Sequence, residues 1–107
     1  MMIYSVDTGE IVFNRGGVVG TKLVENAGNE YVHLMIEPGG SIPDHALPIA
    51  VDFFVAGGTG TASVDGVTLE VAAGQMISCP PNSSRGWKNG GTEKLEVLVI
   101  KAVGKGT

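Results

Sequence analysis

The stretch PGGSIPDHALPIAVDFFVAGGTGTASVDG, Pro38 to Gly66, decides the fold. Within it, VDFFVAG and GTASVDG are short β-type runs set apart by glycines. Asp65-Gly66 then supplies the two positive-φ positions of a type I′ turn. ASVDGVTLEV therefore reads as a β-hairpin. Along VDFFV, strand alternation puts Val51, Phe53 and Val55 on one face and Asp52 on the other.

The same grammar extends outward. MIYSV and EIVFN read as strands split by DTGE. GTKLVE follows RGGVV, and NAG makes a turn before the long strand EYVHLMIE. Downstream, VTLEVAAG and QMISCPP follow at short spacing, and EKLEVLVIKAV closes the chain. No window keeps a helical apolar period with caps at both ends. Regular short strands with turn signals predict an all-β sandwich or barrel. In YVHLMIE the apolar set Val32, Leu34 and Ile36 should face inward, which turns Tyr31, His33 and Met35 outward.

The 107 residues suit one domain, 1–107, with one proper core. A net charge of −4 and a pI near 4.9, with scattered lysines and arginines, argue against nucleic-acid or anionic-membrane partners. The single cysteine, Cys79, excludes an intrachain disulfide, and a reducing cytoplasm is the simplest compartment. The start MMIYSVDTGE has no basic region followed by an apolar run, so no signal peptide is expected. No apolar run approaches the ~20 residues of a membrane-spanning helix.

Two motifs between Gly40 and Asn89 resemble those of the cupin superfamily, small single-domain β-barrels of jelly-roll type related to RmlC-like proteins. The first family motif has a glycine, a His-x-His pair, a glutamate and a further glycine. Here it reads Gly40, His45-Ala46-Leu47, Val51 and Gly58. The second has a proline, a glycine, a histidine and an asparagine, matched by Pro81, Asn82, Arg85 and Asn89.

In the family, three histidines and the glutamate hold a divalent metal. The resemblance carries those places onto His45, Leu47, Val51 and Arg85, a degenerate metal site. Leucine and valine offer no lone pair, and arginine stays protonated and repels a cation. A catalytic metal normally takes about three protein ligands, so no metal and no cofactor is expected. Asp52 and His33 point the wrong way to substitute. Asn82 at the glycine place is a mild change, since asparagine tolerates left-handed backbone.

The resemblance places His45 inside the barrel. There it is either a general base or hydrogen-bond handle for a ligand, or a relic paired with a backbone carbonyl or water. Arg85 either points inward and holds a carboxylate or phosphate, or turns to solvent, or pairs with an acid such as Asp52. Trp87 shares its face by alternation and either stacks on a ligand or fills the core. Cys79 reads as a buried, inert thiol or as a thiolate nucleophile beside Arg85.

The expected pocket is thus His45, Leu47, Val51, Phe53, Cys79, Arg85 and Trp87. Its expected occupant is a small anionic organic molecule, with His45 the candidate for any catalysis and the reaction left open. The alternatives are a metal-dependent dioxygenase or isomerase with non-standard ligands, and a structural or regulatory dimer with a filled barrel. The outward stripe Tyr31, His33 and Met35, with the closing strand, predicts a homodimer.

Overall fold

The computed structural model describes residues 1–104. Ten strands form: β1 (Glu10–Arg15), β2 (Val18–Asn26), β3 (Asn29–Ile36), β4 (Ser41–Ala46), β5 (Val51–Gly57), β6 (Thr59–Val64), β7 (Val67–Ala72), β8 (Met76–Cys79), β9 (Ser84–Lys88) and β10 (Leu95–Lys101). They build a six-stranded sheet, β1-β2-β3-β10-β5-β8, and a four-stranded sheet, β4-β9-β6-β7. Every strand pair is antiparallel. The chain passes repeatedly from one sheet to the other, and the two close into a jelly-roll barrel. No helix is long and apolar enough to cross a membrane.

The predicted alternation holds where one face is buried. Val32, Leu34 and Ile36 of β3, Val51, Phe53 and Val55 of β5, and Leu95, Val97 and Val99 of β10 enter the core. Tyr31, His33 and Met35 face the other way, half-buried. There His33 Nε2 meets Glu96 Oε2 at 2.6 Å. The hairpin at Asp65-Gly66 forms as expected, with φ of 49° and 81° and Val64 paired to Val67. Asn82 takes the left-handed conformation, φ 70°, that its place in the second motif requires.

MIYSV departs from expectation. Residues 1–5 join no strand, Val6–Thr8 forms one 3-10 turn, and the segment lies exposed. Its β-type residues find no neighbouring strand to pair with, and β propensity without a partner strand does not make a sheet.

Asn89 ties the two motifs together. Its Nδ2 donates to Ile36 O at 2.9 Å and to Glu93 O at 2.8 Å, and its Oδ1 accepts from Gly91 N at 3.1 Å. Its backbone N donates to Gly40 O at 2.9 Å, while its O accepts from Gly39 N at 2.8 Å. A fully buried amide is expected to be satisfied in this way.

Candidate functional site

A cavity of about 300 Å³ lies between the sheets. Its walls are largely apolar: Ile42 and Leu47 near β4, Val51 and Phe53 from β5, and Trp87 from β9. The polar groups are His45, Arg85, Glu30 and Lys101. Phe53 and Trp87 meet edge to face, ring centroids 5.6 Å apart at 62°.

A bulge in β4 sets one wall. Ile42 pairs with Trp87 and His45 with Arg85, so Pro43 and Asp44 together stand opposite Gly86 alone. Ile42 and His45 are an odd number of residues apart, and regular alternation would send them to opposite faces. The extra residue restores both to the cavity. Gly86 is what lets the bulge close in, since a Cβ there would meet Ile42 O at 2.7 Å and also strike the Asp44 carboxylate.

His45 keeps an exposed ring at the cavity edge. Its Nδ1 lies 3.2 Å from Pro43 O. A carbonyl only accepts, so Nδ1 carries the proton and, in the neutral ring, Nε2 is the free acceptor.

Arg85 points inward. Only 2% of the residue is exposed, and Nη1 donates to Ser83 O at 3.0 Å. Neither Asp52 nor any other acid forms an ion pair with it among the described residues. No fully buried side-chain polar atom lacks a partner among those residues. The guanidinium nitrogens that do not bond Ser83 O are thus not fully buried, and Arg85 lines the cavity. The local chain fixes this pose. The left-handed Asn82 donates its N–H to Leu47 O at 2.8 Å, and Ser83 Oγ donates to Pro80 O at 2.7 Å.

Cys79, expected among the pocket residues, is not one of the residues that line the cavity. It is 2% exposed. Burial pushes its thiol up from 9.0, opposed in part by the Arg85 cation and the Ser83 hydroxyl. Asp52 pairs with Ile100 and Ser78, alternates with Val51 and Phe53, and stays off the cavity wall.

Sequence reasoning missed Glu30 and Lys101. Both are cavity residues, and their ion pair spans 3.7 Å. Strand parity carried the signal: Glu30 is in step with Val32 and Leu34, and Lys101 with Val97 and Val99.

The donor set does not suit a divalent metal. The four places that the resemblance assigns to metal ligands hold His45, Leu47, Val51 and Arg85, and all four line the cavity. Among the described residues, no three of His, Cys, Asp and Glu converge as a metal-binding group.

Two antiparallel sheets closed around an apolar cavity define a barrel of the jelly-roll class. Residues 24–101 match the cupin domain family, and the chain belongs to that family. A search of curated proteins finds no match. Among solved structures, a predicted oxalate decarboxylase from Thermotoga maritima superposes with a TM-score of 0.82 at 19% identity, covering 95% of this chain and 99% of that one. An RmlC-like cupin from Shewanella frigidimarina gives 0.78 at 23% identity, covering 94% and 95%. The polyketide cyclase RemF from Streptomyces resistomycificus gives 0.80 at 22% identity, covering 94% and 78%. At these identities the likeness is one of fold.

Proposed function

We propose that the barrel binds a small anionic organic molecule without a metal, with Arg85 as its anchor. The observation that carries this reading is the Arg85 guanidinium, buried and unpaired by any acid among the described residues, lining an apolar cavity. A buried charge without a counter-ion costs several kcal/mol, on the order of what losing one partner of a buried pair costs. A carboxylate arriving with the ligand removes that cost and accepts two parallel N–H bonds from the planar fork. The apolar walls suit the ligand body, as in most small-molecule sites. A barrel filled at its centre would leave no such space, which disfavours a purely structural role.

Trp87 is the chain's single tryptophan and lines the cavity, so its emission reports occupancy. Titration with phenylacetate should shift that emission, while phenylacetamide, the same body without charge, should bind far more weakly. Equal binding of the two would remove Arg85 from the anchoring role.

A further inference from the structure

The paired strands set one row of residues side by side across the six-stranded sheet. Glu30 of β3 pairs with Lys101 of β10, Lys101 with Val51 of β5, and Val51 with Cys79 of β8. Neighbouring strands lie about 4.8 Å apart, so Lys101 and Cys79 are roughly 10 Å apart at the backbone. Arg85 Nη1 donates to Ser83 O, and Ser83 Oγ is tied to Pro80 O, the residue after Cys79, so Arg85 belongs to the Cys79 end of the row. Lys101 stands at the other end, and both cations line the cavity. Between them lies apolar Val51, where the family's glutamate would sit.

Among the described residues, Glu30 is the one acid that pairs with Lys101. That ion pair spans 3.7 Å, beyond hydrogen-bonding distance. Glu30 is also drawn to Lys22, at 3.4 Å. Glu30 thus faces two ammonium groups, and Lys22 is also held by Glu25, at 3.3 Å. The cavity wall holds Arg85 and Lys101 against Glu30 alone, a net positive interior in a chain of net charge −4.

From this we infer that the ligand is a dicarboxylate. One carboxylate sits on Arg85, the second reaches Lys101, and a short apolar spacer lies over Val51. A single phosphate or monocarboxylate would satisfy one cation and leave the other facing its apolar end. This inference rests on the anion-binding reading of the same cavity and adds a second point of attachment.

The test is calorimetric titration of the intact protein with glutarate and adipate, with monomethyl glutarate and monomethyl adipate, and with inorganic phosphate. At least one dicarboxylate should bind tenfold or more tightly than its own monomethyl ester, and phosphate should not compete. Lys101→Met should reduce that ratio to below twofold while the monoester's affinity stays the same. Lys94→Gln, distant on the surface, should change neither. Equal affinity for diacid and monoester in the parent would overturn the second attachment point and leave the anion-binding reading intact. Failure of every carboxylate to bind would overturn both, and tight phosphate binding would replace the dicarboxylate with a phosphorylated ligand. The parent comparison needs no substitution, so a destabilised variant cannot obscure it.

Discussion

Phe53 and Trp87 reach into the barrel from opposite sheets and meet edge to face, centroids 5.6 Å apart. The pair joins the sheets and forms one wall of the cavity. Removing the indole should leave a hole that β5 and β9 cannot collapse to fill. Trp87→Ala should therefore cost about 3–5 kcal/mol of stability, measured by urea unfolding. A loss under about 1 kcal/mol would show that the ring bears on the ligand alone.

Arg85 separates stability from binding. In the absence of ligand its buried charge is a burden, so Arg85→Met should leave unfolding stability unchanged or raise it by about 1 kcal/mol or more. The same variant should lose carboxylate affinity strongly and neutral-ligand affinity little. Thermal unfolding with and without phenylacetate checks both arms, since a ligand stabilises only the form that binds it.

Converting the degenerate set should create a metal site. Leu47→His, Val51→Glu and Arg85→His together with His45 restore four donors on the cavity wall. Titration with Mn, Ni or Zn should then show a tight site that the parent lacks. No gain over the parent would mean that these side chains do not converge as their shared cavity implies.

Cys79 gives the pH dependence a sign. Its folded pKa lies above its ordinary value of 9.0 because burial disfavours the thiolate. The native state therefore holds its proton more tightly than the unfolded chain does. Its contribution to stability is complete below pH 9 and is lost as pH rises from there through the folded pKa. Cys79→Ala should flatten the decline above pH 9, and the native thiol should react slowly with a disulfide reagent at pH 8.

We propose that the protein pairs with a second copy through the outer face of its larger sheet. Leu98 faces out between His33 and Phe54, its neighbours in register, and Ile100 lies beside Tyr31. All five are half-buried in the single chain. Light scattering should give twice the chain mass for the parent and the single mass for Leu98→Glu. A monomeric parent at micromolar concentration would end the idea.

The barrel was legible because its strands bury one face. In β3, β5 and β10 a one-residue slip would expose the core set, so sequence alone settles which residues point in. The Asp65-Gly66 turn and the left-handed Asn82 were legible for local reasons, since few residues tolerate those angles. The direction of Arg85 was not legible. A charge on a short strand beside Ser83, Ser84 and Gly86 carries no pattern that distinguishes cavity from solvent. The β4 bulge was hidden too, because an extra residue is visible only against its partner strand. Glu30 and Lys101 were not legible as cavity residues, because charged strand ends usually sit in water.

The stitching at Asn89 has a mechanical consequence. It locks the β3–β4 turn to the β9–β10 loop, closing one end of the barrel like the base of a cup. Glu30, His45, Arg85 and Lys101 all stand toward the opposite rim, where the strand register runs away from that base. The strands should therefore part more easily at the rim than at the base, and the proposed ligand would enter from that side.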